Sequence, residues 1–388
     1  MAKTTSERAG RLIVAQSGPD GFSAFVPAPL PPDPALRITS SLQALLDEAN
    51  QALGRLDAVS VLLPDPGQFL YSYIRKEAVH SSQIEGTQSS LSDLLLFENE
   101  QVPGVPLDDV EETSNYVAAM NHGLERIESG KLPLSNRLLR EVHELLMSGA
   151  RGGDKAPGEF RRTQNWLGGT RPGNARFVPP PATEVVPAMG DLEKFLHDDP
   201  EPTPILIKAA LAHAQFETIH PFLDGNGRVG RLLITLLLCS ERVLQEPLLY
   251  LSLYFKQNRD AYYDHLQRVR TEGAWEDWLQ FFLEGVIAVA VSATETARSI
   301  RQLIETDRDK IHGVGRGAAS ALRLHDLAGR RIVLTGGGTA RLLGLSVPTV
   351  NAALARLQQA GIIREVTGRR RGRVFVYEAY LELLQAEQ

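Results

Sequence analysis

One stretch of the chain combines a histidine, an aspartate, three glycines and two arginines between two apolar helical segments. It covers residues 220–231 and reads His-Pro-Phe-Leu-Asp-Gly-Asn-Gly-Arg-Val-Gly-Arg. Pro221 disfavours a helical conformation at the residue before it, so we predict that the preceding helix ends at His220. A glycine-rich loop that opens the next helix is a common anion site, because backbone N–H groups and the helix N-terminus both attract negative charge. The stretch therefore predicts a phosphate-binding loop beside a histidine.

Four side chains indicate what such a loop could do. Arg228 and Arg231 are three residues apart on the first turn of the second helix, where paired arginines favour a polyanionic ligand. An aspartate in a phosphate loop is expected when a divalent ion such as Mg²⁺ joins carboxylate and phosphate, which makes Asp224 the candidate metal ligand. Histidine titrates near neutral pH, so His220 can accept a proton from an attacking hydroxyl group. Together they predict a phosphoryl- or nucleotidyl-transfer site.

The alternative interpretation is a helix stop followed by an ordinary glycine loop. A lone Gly-Asn-Gly would support that alternative, but the register of His, Asp, Gly and Arg over the whole stretch favours a site. The stretch also resembles the signature of the Fic family, His-Pro-Phe-x-Asp/Glu-Gly-Asn-Gly-Arg-x-x-Arg, at every defined position. Fic proteins typically transfer AMP from ATP to a hydroxyl side chain of a target protein.

This resemblance implies a role for each residue of the site. His220 would be the catalytic base, Asp224 the Mg²⁺ ligand and Arg231 the partner of the γ-phosphate of ATP. The whole ATP site implied by the resemblance is Glu85, His220, Gly225, Asn226, Gly227, Arg228, Val229, Gly230, Arg231, Asn258, Tyr262 and Tyr263. The last three belong to an Asn-Arg-x-x-Tyr-Tyr pattern typical of the family and would form the adenine side of the pocket. Taken alone, aromatic residues at helical spacing are as typical of a core.

A second motif, Ser81-x-x-x-Glu85-Gly86, lies at the end of a predicted helix that Gly86 is expected to terminate. By itself, an acidic residue at a helix C-terminus only opposes the helix dipole. The segment resembles the inhibitory motif of the Fic family, Ser/Thr-x-x-x-Glu-Gly/Asn. The resemblance implies that Glu85 pairs with Arg231 and turns the α-phosphate of ATP away from attack. Such a charge-assisted pair contributes roughly 1.5–3 kcal/mol, which implies a low basal activity.

Between residues 152 and 181 the sequence is rich in glycine and proline. A tight-turn signal at residues 171–174 precedes a short extended run, which predicts a small hairpin. In Fic proteins the corresponding stretch is a flap that holds a target segment by strand addition. The resemblance implies that role for Ala175, Arg176, Phe177 and Val178. The alternative is a surface loop without a role.

The C-terminal residues have a winged-helix pattern, with helices followed by extended runs at 362–367 and 373–377. The runs are joined by Gly-Arg-Arg-Arg-Gly at residues 368–372. DNA binding is one interpretation, because Arg369, Arg370, Arg371 and Arg373 could contact phosphates. The interpretation that we favour from the sequence is a protein-docking or dimerisation module, because the whole chain is acidic.

Composition limits the class of protein. The chain has 388 residues, a formal net charge of −6 and an isoelectric point near 5.9, which argues against a dedicated nucleic-acid binder. The single cysteine, Cys239, lies in an apolar run and excludes a disulfide framework. The apolar runs are too short to span a bilayer, and residues 1–13 carry charges without an apolar segment. We therefore expect no membrane partner and a cytoplasmic location.

These features predict a mainly α fold in three parts. Residues 1–105 would form an N-terminal region with the inhibitory helix, preceded over about the first 40 residues by an extended or partly disordered proline-rich segment. Residues 106–297 would form a Fic-type helical core with a small β-hairpin flap. Residues 298–388 would form a winged helix-turn-helix domain. The family resemblance also suggests a homodimer.

Three functions remain open on the sequence, and the resemblance favours the first. It is a protein adenylyltransferase that uses ATP and Mg²⁺ to modify a Ser, Thr or Tyr hydroxyl of an unknown target protein. The second uses the same site to transfer another phosphate-linked group or to remove AMP by hydrolysis. The third is a DNA-binding regulator whose core only senses a nucleotide.

Overall fold

The computed structural model describes residues 8–16, 21–62, 66–98, 105–149, 153–313, 315 and 317–386. This part of the chain forms fifteen helices and two small antiparallel sheets, so the prediction of a mainly α fold is confirmed. The helices are α1 Ser40–Leu62, α2 Pro66–Ile84, α3 Leu91–Glu98, α4 Leu107–Glu128, α5 Asn136–Leu146, α6 Ala182–Leu196, α7 Ile205–Ile219, α8 Asn226–Ser240, α9 Ser252–Gln257, α10 Arg259–Glu272, α11 Trp275–His312, α12 Ala318–Arg331, α13 Gly336–Leu343, α14 Val347–Gln359 and α15 Glu378–Gln385. The strands are β1 Gly10–Gln16, β2 Phe22–Pro27, β3 Val333–Thr335, β4 Arg364–Glu365 and β5 Val374–Val376.

The helices α7 and α8 form the centre of the fold. Residues 206–219 of α7 are buried on every side, because α8, α6, α10 and α11 pack around a sequence that is apolar nearly throughout. Helix α8 is buried from its first turn and also contacts α4 and α5. The loop between α7 and α8 therefore starts and ends on buried helices. This fixes the directions from which residues 220–225 enter and leave.

Helix α2 lies between the N-terminal region and the rest of the molecule. It packs against α4, α9 and α12, and its last turn reaches α8. The chain turns immediately after α2, at Gly86, whose φ of 105° is a conformation that suits glycine. The end of α2 is thereby held against the beginning of α8.

The N-terminal segment is more ordered than the sequence suggested. Strands β1 and β2 pair antiparallel from Gly10 opposite Pro27 to Gln16 opposite Phe22, and β2 packs against α7. For the described residues of this part the expectation of an extended segment is confirmed, since both strands are extended and β1 is mostly exposed, whereas the expectation of partial disorder is wrong. The prolines that suggested it begin only at Pro27, and the five residues before it (Phe-Ser-Ala-Phe-Val) are mostly good strand formers.

Helix α11 is 38 residues long and runs past residue 297, where we had predicted a domain boundary. It is long and apolar enough to cross a membrane by composition, but 56% of that apolar window is buried inside the fold. Its neighbours are α1, α7, α10 and α12, so burial accounts for its apolar face. Such a composition is weak evidence for a membrane span.

After α11 the chain forms helix α12, strand β3, helices α13 and α14, and a hairpin of β4 and β5. The three strands make one sheet in the order β3-β5-β4. Helix α14 begins at the cap Ser346, whose hydroxyl accepts a hydrogen bond from the Thr349 N–H, and it buries Val350 and Leu354 against α12 and α13. The assignment of this region as a winged helix stays a prediction.

Candidate active site

His220 lies at the end of α7 in a left-handed backbone conformation, with φ of 51°. A residue other than glycine adopts this conformation at a cost, so its surroundings must hold it. The buried Arg161 does so. Its Nε donates to the His220 carbonyl oxygen at 2.8 Å, and its backbone N–H donates to the Pro221 carbonyl oxygen at 2.8 Å. The direction of the imidazole is thus set through the backbone.

The His220 imidazole is kept neutral by its environment. Burial, together with the guanidinium groups of Arg270 and Arg161, lowers the pKa of His220 to about 3. The buried Nδ1 has no hydrogen-bond partner among the described residues. A neutral imidazole has the protonation state that a general base requires.

The loop between α7 and α8 is held in shape by neighbouring side chains. Asn226 accepts a hydrogen bond from the Phe222 N–H at 2.8 Å and donates one to the Phe222 carbonyl oxygen at 2.9 Å. His143 stacks on the Phe222 ring and donates from Nε2 to the Asp224 carbonyl oxygen at 3.1 Å. Gly225 has φ of 74°, which suits glycine. The Asn226 side chain, predicted to contact ATP, is instead buried and used to close the loop.

Both arginines, Arg228 on the first turn of α8 and Arg231 on the second, are buried and paired with carboxylates. Arg231 donates from Nη2 to Glu85 Oε1 at 2.8 Å, and from Nε to the Ser81 hydroxyl at 2.8 Å. Arg228 Nη1 lies 2.6 Å from Glu112 Oε1. Glu85 and Arg231 are thus in direct contact although 146 residues separate them in the chain.

Glu85 occupies the space in front of the glycine turn that opens α8. A Cβ atom added at Gly227 would lie 2.2 Å from Glu85 Oε1. Burial alone would raise the pKa of the Glu85 carboxyl, but the Arg231 guanidinium outweighs it, so this pKa lies below its usual value. An ionised carboxylate therefore lies where the helix N-terminus would hold an anionic ligand.

A cavity of about 320 Å³ opens beside this pair, between α4, α5 and the loop before α8. Asp224 lines it with a half-exposed side chain, and Glu85 and Arg228 line it as well. No described group of three or more His, Cys, Asp or Glu residues is placed to hold a metal. A single exposed carboxylate nevertheless fits Mg²⁺, which typically takes one or two protein carboxylates and completes its shell with water and substrate phosphates.

The two tyrosines predicted for the adenine side of the pocket differ in their burial. Tyr262 is buried, its ring stacks on Phe255, and its hydroxyl donates to His213 Nε2 at 2.9 Å. The prediction was that Tyr262 or Tyr263 contributes an aromatic face to the pocket, and in this structure the Tyr262 ring is packed against core residues. Tyr263 is partly exposed, and the Glu85 carboxylate helps to raise its pKa after burial. Of the two tyrosines, Tyr263 is the one with exposed ring surface, so that alternative of the prediction stays open.

Three further residues predicted to contact ATP make contacts within the protein. The Val229 side chain is fully buried, so only its backbone could meet a ligand. The Gly230 carbonyl oxygen is 2.8 Å from His213 Nδ1, and a Cβ at Gly230 would lie 2.6 Å from Glu217 Oε1, on the side of α7. Asn258 lies between α9 and α10 and donates from its amide to the Tyr254 carbonyl oxygen at 3.0 Å.

The predicted flap is a single antiparallel bridge between Leu167 and Phe177, with one 3₁₀ turn between them, and not a hairpin of regular strands. Phe177 is buried against Phe25 of β2, and the Phe25 N–H donates to the Val178 carbonyl oxygen at 2.9 Å. The Phe177 ring also faces the guanidinium of Arg270, whose Cζ is 4.2 Å from the ring centroid. The N-terminal hairpin therefore supports the flap, which the sequence did not suggest.

Several residues shape the site although nothing in the sequence had led us to predict them. Arg161 lies in a loop where an arginine suggests nothing in particular, and Glu112 lies on an ordinary amphipathic helix. Arg270 joins the flap to the end of α7 by donating to the Glu217 carbonyl oxygen at 3.0 Å. Burial raises the pKa of Glu217 to about 7. The one available signal was a charged residue at an otherwise apolar position, as with Glu217 in α7.

Comparison with known proteins agrees with the sequence motifs. Residues 43–125 match the family model described as Fic/DOC family N-terminal, and residues 133–238 match the model described as Fic/DOC family. The protein adenylyltransferase Fic of Culex quinquefasciatus is 30% identical over 245 residues, covering 62% of this chain and 45% of that protein. That of Drosophila grimshawi is 28% identical over 277 residues, covering 68% and 52%. The chain thus spans about half the length of these curated relatives.

The fold has relatives among solved structures. A Fic family protein from Desulfovibrio desulfuricans G20 superposes with a TM-score of 0.57 at 22% identity, covering 88% of this chain and 97% of the other. At that identity the likeness concerns the fold alone. It extends over most of the elements described above.

Proposed function

This chain carries the N-terminal region and the main domain of the Fic/DOC family, and from that premise we propose that it is a protein adenylyltransferase. ATP is one substrate, and a Ser, Thr or Tyr hydroxyl of a target protein is the other. The hydroxyl oxygen bonds to the α-phosphorus, the bond from that phosphorus to the β-phosphate oxygen breaks, and pyrophosphate leaves. The relatives whose sequences match bear the name of this activity.

The observation that carries the proposal is the contact between Glu85 and Arg231. Two motifs that are far apart in the chain meet there, at the N-terminus of a helix that opens with glycines. A buried arginine at a helix N-terminus needs a negative partner, and the partner present belongs to the protein itself. The phosphates of a nucleoside triphosphate supply the same negative charge. The arrangement therefore fits a phosphate site that an internal carboxylate fills in the absence of substrate.

His220 accepts the proton of the attacking hydroxyl group. Its low pKa keeps the imidazole available as a base over the whole physiological range, and the Arg161 contacts hold its backbone. Arg231 and Arg228 bind phosphate oxygens once their carboxylate partners give way. The backbone N–H groups at the start of α8 bind the same phosphates through the helix dipole.

Mg²⁺ is the metal that the site fits. Asp224 would hold it at the mouth of the 320 Å³ cavity, whose wall also contains Glu85, Asp108, Glu111 and Glu112. A triphosphate entering such an acidic cavity would be repelled unless a cation accompanied it. When bound, the ion neutralises phosphate charge and assists departure of the pyrophosphate.

The target segment is proposed to lie against the flap residues Ala175, Arg176, Phe177 and Val178. Phe177 is buried and contacts both Phe25 and Arg270, which supports this part of the flap as a platform for an extended chain. Arg270 also contacts the end of α7 just before His220. A target chain on the flap would therefore be held at a set distance from the base.

The test uses the purified chain, Mg²⁺, and ATP labelled at either the α- or the γ-phosphate. The variant Glu85→Ala should retain label from α-labelled ATP on protein, whereas the double variant Glu85→Ala/His220→Ala should retain none. The matched control is Glu111→Ala, which removes another carboxylate from the same cavity but none that contacts Arg231.

Each alternative gives a different result in this experiment. Retained label from γ-labelled ATP would mean phosphate transfer and would overturn both the reaction and the role of Arg231. Absence of protein label from either nucleotide, with ATP binding intact, would favour a core that only senses the nucleotide.

A further inference from the structure

The charge of the chain is unevenly distributed. Residues 318–386 contain ten arginines and four carboxylate side chains, although the whole chain has a net charge of −6. The acidic net charge on which we based our preference for a protein-docking module therefore belongs to the rest of the molecule. The C-terminal region by itself is strongly basic, which is the first sign of a polyanion-binding surface.

The basic residues gather around one cleft. It has a volume of about 480 Å³ and lies between the start of α13, the start of α14 and the hairpin that joins β4 to β5. Four arginines line it, Arg341, Arg370, Arg371 and Arg373, and its described lining includes no carboxylate.

None of the four arginines is in ion-pair contact with a carboxylate of the described residues. Arg373 lies over the Phe375 ring, 5.2 Å from its centroid. The charge of Arg373 helps to lower the pKa of the nearby Glu365. The Glu365 carboxylate, however, accepts hydrogen bonds from the N–H groups of Thr367 and Gly368. Arg341, Arg370 and Arg371 are exposed. Four guanidinium groups thus face one space without neutralisation.

Helix α14 forms one side of this cleft and presents an uncharged face. Its buried side includes Val350 and Leu354, whereas Val347, Asn351 and Ala355 are exposed at successive intervals of four residues. With 13 residues the helix is about 20 Å long. Small and uncharged side chains let such a helix enter a groove closely, and Asn351, which lines the cleft, can hydrogen-bond a base edge.

We propose that residues 318–386 bind duplex DNA, with α14 in the major groove and the cleft arginines on the phosphates beside it. Single-stranded nucleic acid is disfavoured because its bases stack on exposed aromatic rings, and the aromatic residues here, Phe375, Tyr377 and Tyr380, are all buried. Double-stranded RNA is disfavoured because its major groove is too deep and narrow for a helix. The proposal does not depend on the adenylyltransferase activity.

The experiment measures binding of the full chain to a fluorescein-labelled duplex of mixed sequence, roughly 30 base pairs long or about three helical turns, by anisotropy. Four phosphate contacts predict an affinity that falls roughly a hundredfold between about 50 and 200 mM salt. The triple variant Arg370→Ala/Arg371→Ala/Arg373→Ala should bind at least about tenfold more weakly. The slope of log affinity against log salt concentration should also become shallower, by the amount expected for the loss of about three phosphate contacts.

The matched control removes the same charge elsewhere. Arg55, Arg298 and Arg301 are exposed on α1 and α11, and their replacement by alanine should change the affinity by less than about twofold. Lysine at positions 370, 371 and 373 should restore the salt dependence, because phosphates accept either cation. Folding of each variant is checked by thermal unfolding.

Three outcomes would overturn the proposal. The duplex could fail to bind at 50 mM salt, or both triple variants could weaken binding equally, which would mean attraction to charge in general. Lastly, poly-glutamate could compete as well as unlabelled duplex, which would point to an acidic protein as the partner of this surface.

Discussion

Two sets of arginines in this molecule are both assigned to phosphates, and their surroundings are opposite. Arg231 and Arg228 on α8 are 2% and 5% exposed, and each is bound to a carboxylate of the protein. Arg370 and Arg371 at the C-terminal hairpin are exposed and have no such partner among the described residues. The first set is held in place and already paired with carboxylates of the protein, whereas the second set is exposed to solvent.

The difference concerns how each site is controlled. A buried guanidinium cannot be left without a counter-charge, so in the proposed function the α8 site exchanges one anion for another, and the strength of the internal pair would set the rate. An exposed guanidinium already has water and salt as partners, so the DNA binding proposed for the C-terminal cleft should depend on ionic strength. Four predictions test this contrast, beginning with the largest effect.

Removal of the internal anion should release the α8 site. The Glu85→Ala variant is expected to transfer AMP about 10–100-fold faster than the native chain, because a charge-assisted pair contributes roughly 1.5–3 kcal/mol. The measurement is the initial rate of label transfer from α-labelled ATP. A Glu111→Ala control should stay within about twofold of the native rate. Equal activation in both variants would show that the cavity charge as a whole, and not the pair, controls the rate.

The second buried pair should contribute to stability. Glu112→Gln leaves the Arg228 guanidinium in its buried position without its 2.6 Å carboxylate partner. We expect the free energy of unfolding to fall by roughly 2 kcal/mol, measured by denaturant titration. An unchanged midpoint would mean that Asp224, 3.8 Å from Arg228, compensates fully.

The exposed arginines should behave differently in the same assay. Arg370→Ala and Arg371→Ala are each expected to change the free energy of unfolding by less than about 0.5 kcal/mol, because both side chains are exposed and neither forms an ion pair with a described carboxylate. A loss comparable to that of Glu112→Gln would contradict the contrast between the two sets.

The smallest expected effect is that of pH on inhibition. The pKa of Glu85 is lowered in the fold, so its pairing with Arg231 is present at and above the usual glutamate pKa and is lost only as pH falls through the lowered value. His220, with a pKa of about 3, also stays neutral. The ratio of rates between Glu85→Ala and the native chain should therefore change less than about twofold from pH 8 to pH 5. A ratio that changes near pH 7 would contradict this and would mean that Glu217, whose pKa burial raises to about 7, also controls the Arg231 pair.

The site was predictable where it is contiguous in the chain. Pro221 ends a helix, glycines open the next one, and Arg228 and Arg231 share one turn, and each of these is a local rule. The same local reasoning could not choose between Tyr262 and Tyr263, because a tyrosine in a pocket wall and one in a core have the same spacing. It predicted an extended or partly disordered segment before Pro27 but not that the extended residues pair as a hairpin, because that pairing joins two separate runs of the chain.

The amino-acid sequence by itself determined the mainly helical fold, the helix–loop–helix that presents His220, and the motifs at both ends of the Glu85–Arg231 contact, since local backbone preference and helical periodicity are enough for these. The tertiary structure decided which side chains face the site. It buried Tyr262 and Asn226, placed Arg161 behind His220, joined Glu112 to Arg228, set β2 against the flap and gathered the C-terminal arginines around one cleft. Those outcomes depend on contacts between residues that are distant in the chain. Which helix packs against which has no signal in the local sequence, so these contacts could not be predicted from it.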